Sequence, residues 1–279
     1  MPTFGSHDGT RLAYHRTDDR EPLICLPGGP MQASDYLGDL GGLSAHRSLL
    51  RLDPRGTGDS EVPADPATYR CDRQVDDLEA LRAHLDVDRI DVLGHSAGAS
   101  LAVLYASRYP GKIRRLVLVT PSPRAVAVDV TDLDRRQLAE SRHEEPWYPD
   151  AYAAFERVWS GSATVADWSA IEPFMCGRWD ADVRGYLDRA ARQKNRQAAA
   201  AYYADGAIDA RATRTSLGAF EVPVLLIAGE YDVALPPHRA VEYAALFPRA
   251  ELAVAPGGGH HPWIDDPDWF VVTVERFLG

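Results

Sequence analysis

Cysteine, lysine and long apolar runs are all scarce in this chain, and each scarcity removes a class of protein. Cys25, Cys71 and Cys176 are odd in number, far apart and without CxxC spacing. Neither a disulfide framework nor a zinc site is indicated, and reduced, partly buried thiols are expected. No stretch approaches the roughly 18 apolar residues of a membrane helix. The opening residues, MPTFGSHDGT, lack the basic start and apolar run of a signal peptide. A cytosolic location without a membrane partner is the expectation. Positive charge is in deficit, with 30 Lys and Arg against 41 Asp and Glu and a net charge of -11. With no basic cluster to offset that sign, nucleic acid and anionic membranes are disfavoured as partners. Lysine is represented by Lys112 and Lys194 alone, which we read as codon bias.

What is present is ordinary for a globular protein: 45% hydrophobic and 25% charged residues over 279 positions. A chain of that length buries roughly three quarters of the surface its unfolded form exposes, so a full core is expected. Short apolar runs bounded by Gly, Pro or Asp begin at Arg11, Pro22, Leu49, Ile90, Ile113, Pro223 and Ala250. Several are separated by stretches of helical spacing, such as VDDLEALRAHL, AGASLAVLYASRYP and PDWFVVTVERFL. That alternation predicts an α/β fold with a mostly parallel twisted sheet flanked by helices. An Asp8-Gly9 turn signal before RLAYHR predicts an antiparallel hairpin opening the sheet. From Pro123 to Gly218 the alternation stops and a helical stretch rich in Trp, Arg and Ala takes over. The expected organisation is a core over 1–122 and 219–279 with a helical cap inserted at 123–218. The cap tryptophans Trp147, Trp159, Trp168 and Trp179 either line a pocket or bind the inserted helices to one another.

The chemistry concentrates in GHSAG, Gly94 to Gly98. An apolar strand precedes it and a helix-forming run follows, the context a nucleophile elbow requires, because the turn is too tight for larger flanking side chains. Ser96 then stands above the sheet edge, and the next helix points its positive end at the developing negative charge. A serine that only caps a helix would need none of this. An activated serine needs a base, and the base needs an anion. Asp232 ends the apolar run LLIAGEYD and reaches the same edge; Glu230 is its nearer-strand rival. In PGGGHHPW, three glycines free the backbone and His260 is the first side chain to follow. His261 precedes Pro262 and points the other way, so it is expected under the insertion. No metal site is expected from the pair. One oxyanion donor is the N–H of Ala97, and the second is Gly29 of LPGGPM, with Gly28 as the alternative.

These residues resemble the α/β-hydrolase superfamily, and within it the proline iminopeptidase-like branch, over nearly the whole chain. LPGGPM resembles that branch's H-G-G-P-G oxyanion loop, DPRGTGDS its D-x-R-G-x-G-x-S loop, GHSAG the elbow, GEYD the acid turn and GGGHHPWIDDP the histidine loop. The resemblance implies that the histidine directly after glycine, His260, is the catalytic one. Pro27, Met31 and Ala97 depart from the branch's usual His, Gly and Trp, and the insertion lacks its W-x-x-W-E signature. Those departures bear on peptidase activity rather than on hydrolysis. The branch holds a substrate ammonium with cap carboxylates, for which Glu140, Glu144, Glu145, Glu156 and Glu172 are the candidates here. Asp53 and Arg55 are read as stabilising loops around the site.

The expectation is therefore a serine hydrolase acting on an ester or amide of a small molecule or short peptide, through an acyl-enzyme and without a cofactor. Ser96, Asp232 and His260 form its triad, and Gly29 and Ala97 its oxyanion hole. Carbon–carbon bond hydrolysis or acyl transfer on the same triad, or a ligand receptor that keeps the fold without turnover, are the alternatives. The serine at the elbow disfavours epoxide hydrolase and dehalogenase chemistry, which use a carboxylate there.

Overall fold

A computed structural model describes residues 1–279. Eight strands form its sheet: β1 Thr3–Gly5, β2 Arg11–Arg16, β3 Pro22–Leu26, β4 Ser48–Leu52, β5 Ile90–His95, β6 Ile113–Val119, β7 Val224–Gly229 and β8 Ala250–Ala255. Their order is β1-β2-β4-β3-β5-β6-β7-β8. β1 and β2 pair antiparallel, as the Asp8-Gly9 turn requires, β2 runs antiparallel to β4, and every later pair is parallel. The helices are α1 Cys71–His84, α2 Ala97–Arg108, α3 Asp132–Glu140, α4 Tyr148–Trp159, α5 Val165–Ala170 and α6 Ala181–Ala191. Then follow α7 Arg196–Tyr202, α8 Ala210–Leu217, α9 Pro237–Ala244, α10 Pro262–Asp265 and α11 Pro267–Leu278. None is long and apolar enough to cross a membrane.

The central strands are continuous apolar runs because both sheet faces are covered, as parallel sheets demand. Along β3, Ile24 and Leu26 join a core with Val75, Leu78 and Leu81 of α1 and Leu101 and Tyr105 of α2. Leu23 and Cys25 turn the other way, toward Phe270, Val274 and Leu278 of α11. The period-two alternation of a strand thus feeds two separate cores.

Between β6 and β7 lie six helices and no strand. α4 and its neighbours have a core of their own, built on Phe155, Phe174, Ala154 and Ile171, and touch the body through Val233. α7 sits differently. Its Ala198 and Tyr202 pack onto Met31 and Ala97, so this helix lies directly against the start of α2.

Topology then decides where the site falls. From β3 the chain passes outward to β4 and returns through α1 to β5 on the other side of β3. The loops after β3 and β5 therefore leave a switch point side by side, and clefts in such sheets open there at the carboxyl ends of the strands.

Candidate active site

The turn after β5 holds Ser96 at φ 52° and ψ −116°, a conformation that non-glycine residues avoid and that persists only where the surroundings enforce it. Those surroundings are visible. The Ser96 N–H donates to the Val119 carbonyl at 3.0 Å, and the Ser96 carbonyl accepts from Ser122 at 3.1 Å, tying the turn to the end of β6. The two flanking glycines have no room for a side chain. A Cβ on Gly94 would lie 2.7 Å from Ala99 Cα, and one on Gly98 would lie 2.3 Å from the Leu26 carbonyl oxygen.

The loop after β3 leans on this turn, since a Cβ at Gly28 would come within 2.8 Å of Ser96 Cβ. Its two glycines differ in what their N–H groups do. Gly28 donates to the Tyr36 hydroxyl at 2.7 Å. That bond corrects the expectation that Gly28 is an alternative oxyanion donor, because its one donor is already used. Gly29, at φ 111°, makes no such bond and lines the same cavity as Ser96. Ala97 is the first residue of α2, where the N–H has no acceptor within the helix.

Asp232 follows β7 and is fully buried, and His260 follows β8. Nδ1–H of His260 donates to Oδ2 of Asp232 at 2.8 Å, while Oδ1 accepts the N–H of Ala234 at 2.9 Å. With Nδ1 occupied as donor, Nε2 carries a free lone pair. Glu230 is exposed and accepts from the Gly257 N–H at 2.6 Å, so it pins the glycine loop instead of the imidazole. The backbone of His260 is held on both sides. Its N–H donates to Met175 at 2.7 Å, and its carbonyl accepts from His95 Nε2 and Thr120 Oγ1, each at 2.9 Å. Ser96, His260 and Gly29 all face one cavity of about 490 Å³. No hydrogen bond joins Ser96 to His260 in this structure.

Sequence reasoning missed the residues that fix these loops to one another. Tyr36 Oη lies 2.6 Å from His95 Nδ1. The His260 carbonyl can only accept, so His95 Nε2 carries a proton; in a neutral ring Nδ1 must then accept, and the direction of the whole series follows. Gly28 donates to Tyr36, Tyr36 donates to His95 Nδ1, and His95 Nε2–H donates to His260. This requires neutral His95, and burial, followed by the charges of His260 and His261, holds its pKa well below the usual value. The histidine inside GHSAG was the available signal. Asp265 is a second such residue, accepting from Gly259 at 2.7 Å and from Gly177 at 3.1 Å. His261 packs edge-on against Tyr186 of α6 at 5.4 Å, yet it lines the same cavity as Ser96 and His260, which corrects the expectation that it points the other way.

Of the four tryptophans, Trp159 and Trp168 line the cavity, while Trp147 packs edge-on against Phe174 within the inserted helices. Of the five glutamates, only Glu172 lines it. Glu145 pairs with Arg142, Glu156 with Arg136, Glu140 accepts from Tyr152, and Glu144 is exposed. Arg55 is wholly buried and binds Asp77 and Asp8. Asp53 accepts from Ser34 and Asp59. Both therefore hold loops together, as expected. All three cysteines are free and buried. His15, Asp53 and Asp59 lie close enough to share a metal ion, but the loop bonds of Asp53 already account for its carboxylate.

The family model described as the alpha/beta hydrolase fold matches residues 21–267. A proline iminopeptidase of Heyndrickxia coagulans is 24% identical over 97% of this chain and 96% of its own. A putative 2-succinyl-6-hydroxy-2,4-cyclohexadiene-1-carboxylate synthase of Bacillus subtilis is 26% identical over 97% of this chain and 96% of its own. Among solved structures, proline iminopeptidase of Mycobacterium smegmatis matches with a TM-score of 0.75 at 22% identity, covering 99% of this chain and 97% of that one.

Proposed function

The chain belongs to the α/β-hydrolase fold family, and from that premise we propose that it is a serine hydrolase cleaving an ester or amide bond of a small substrate in the cytosol. The observation that carries this reading is the 2.8 Å bond from His260 Nδ1 to the buried Asp232, made by an imidazole that faces the same cavity as a strained Ser96. In the proposed mechanism Ser96 Oγ attacks the acyl carbon as its proton passes to His260 Nε2. Asp232 stabilises the imidazolium, and the N–H groups of Gly29 and Ala97 receive the oxyanion. His260 then protonates the leaving group as its bond to the acyl carbon breaks. Water, deprotonated by the same imidazole, attacks the acyl-enzyme and releases the acid and the free serine. Residues 123–218 act as the cap that supplies Trp159 and Trp168 to the cavity. An aminopeptidase specificity would have Glu172 as its one cap carboxylate at the cavity, so the ester and small amide reading is preferred.

A fluorophosphonate probe tests this directly. Labelling of the folded protein that disappears in Ser96→Ala, together with loss of p-nitrophenyl butyrate turnover on the order of a million-fold, is the expected result if the triad acts as a unit. Unchanged turnover in Ser96→Ala would remove the mechanism, and absence of labelling in the folded wild type would favour the non-catalytic receptor.

A further inference from the structure

A second cavity of about 670 Å³ adjoins the first at Ser96, Ser122 and Arg124, and is lined besides by Ala97, Tyr203 and two further cations, Lys194 and Arg196. No carboxylate lines it, and none lies within 4.0 Å of any of the three cations. In a chain of net charge -11 this is a local reversal of sign. Arginines elsewhere on the surface pair readily, as Arg47 does with Glu275 and Arg108 with Asp76. Three like charges gathered around one concavity repel each other until an anion enters, so their convergence is informative about the ligand.

Two of the cations are held in place by contacts that leave donors free. The Arg124 guanidinium lies 5.0 Å from the Tyr203 ring centroid, and the Tyr203 hydroxyl is hydrogen-bonded to Ser100 at 2.9 Å. Lys194 Nζ donates to the Gly29 carbonyl at 2.7 Å, which uses one of three N–H donors and fixes the ammonium beside the proposed oxyanion loop. Arg196 opens α7 and makes no side-chain hydrogen bond.

We propose, building on the serine-hydrolase reading, that the acyl portion of the substrate carries a carboxylate or similarly compact anion, bound by Arg124, Lys194 and Arg196 in this cavity. The assignment to the acyl side follows from which groups line which cavity. His260, which must reach the leaving group to protonate it, lines the cavity with Trp159 and Trp168 and not this one. Of the two proposed oxyanion donors, Ala97 lines this one and Gly29 the other, with Ser96, Ser122 and Arg124 shared between them. The leaving-group cavity holds both signs: Arg124, which lines both cavities, and Arg135 against Glu172, with Arg135 stacked 4.5 Å over Trp159. A free anion there would meet Glu172. The departing portion is thus the apolar or aromatic one.

Three esters separate the possibilities: p-nitrophenyl butyrate, the mono-p-nitrophenyl ester of succinic acid, and 4-acetoxybenzoate, whose charge lies on the leaving group. We expect kcat/KM for the hemisuccinate to exceed that for the butyrate by about 10- to 100-fold, the range of one or two charge-assisted contacts. In Arg124→Gln and Arg196→Gln that ratio should fall toward one, and added salt should reduce it in the wild type. A ratio of one in the wild type, with Ser96 still labelled by the fluorophosphonate, overturns the anion site and leaves the hydrolase reading standing. A preference confined to 4-acetoxybenzoate overturns the acyl assignment. Failure to turn over any ester, with no labelling of Ser96, overturns both readings together.

Discussion

Replacing Tyr36 with phenylalanine removes one oxygen and unmakes two buried bonds. The hydroxyl receives the Gly28 N–H at 2.7 Å and donates to His95 Nδ1 at 2.6 Å, and both Tyr36 and His95 are at most 5% exposed. Phenylalanine fills nearly the same volume, so packing changes little. What remains is a backbone donor and a ring acceptor with no partner. Each unsatisfied buried group costs about 1–3 kcal/mol, for a combined loss of about 2–6 kcal/mol, nearer the lower end if a water enters where the hydroxyl was. Urea unfolding followed by tryptophan fluorescence reads this as a lower midpoint with an unchanged slope. The kinetic effect is separate. Gly28 is the anchor of the loop that presents the Gly29 N–H, and His95 carries the backbone of His260, so loss of the hydroxyl loosens the proposed oxyanion loop and the proposed base together. We expect kcat on p-nitrophenyl butyrate to fall about 10- to 100-fold with a smaller change in KM, since misplacement is felt most in the transition state. A Tyr36→Phe variant within about 0.5 kcal/mol of wild type and with full kcat would show that this series of bonds positions nothing.

The same network sets a pH dependence. His95 is kept neutral in the folded chain, its pKa lowered by burial and then by His260 and His261, whereas in the unfolded chain it takes up a proton near pH 6.5. Below that pH the unfolded state binds more protons, so stability present at pH 7 is lost as pH falls, by about 1.4 kcal/mol per pH unit from this residue. Urea titrations at pH 7, 6 and 5 should show a shallower loss in His95→Gln, and an identical slope would exclude His95 as its source. Asp77→Asn leaves Arg55 buried without its main ion partner, which should cost about 3–5 kcal/mol; a loss under 1 kcal/mol in thermal or urea unfolding would contradict this. Gly98→Ala drives a Cβ to 2.3 Å and 2.5 Å from the carbonyl oxygens of Leu26 and Pro27, backbone that cannot yield as a side chain does. Destabilisation of about 1–3 kcal/mol is expected, against less than about 0.5 kcal/mol for Gly5→Ala, where nothing lies within 4 Å.

Strand positions in the centre of the sheet were legible because burial on both faces leaves uninterrupted apolar runs, and the runs at Pro22 and Ile90 became strands that begin at those residues, whereas the run at Ala250 became the partly exposed edge strand β8. GHSAG was legible for a different reason. Its glycines are demanded by backbone contacts within the motif's own strand and helix and from Leu26, so a local pattern carries most of the geometry. Tyr36 carried no such mark. It lies in a glycine-rich loop without periodicity, and its partner His95 is 59 residues away, so only the strand order brings them together. The cap carboxylates failed to sort for the same reason, because helical spacing gives a face and not the neighbour that covers it. The alanine-rich stretch RQAAAAYYADGA carries no motif and little local pattern. In the fold it is α7, whose small side chains allow it to lie on the elbow while the Tyr202 hydroxyl donates to the Ala97 carbonyl at 3.0 Å.

The three glycines before His260 answer to more than one physical constraint. Freedom to turn explains one of them, Gly257 at φ 65°. Gly259 answers to a different constraint, since a Cβ there would lie 2.4 Å from the Met175 carbonyl oxygen and 2.6 Å from Cys176 Cα. Backbone of the inserted segment runs directly over the histidine loop, and two bonds cross between them while a third braces the loop from within. Met175 accepts from His260, while Asp265 accepts from both Gly177 and Gly259. The segment that closes the cavity and the loop that carries the proposed base are thus one mechanical unit. A displacement of the Met175–Gly177 segment, whether by substrate or by substitution, is therefore expected to shift the His260 imidazole relative to Ser96, so the inserted segment would help place the proposed base as well as wall the pocket.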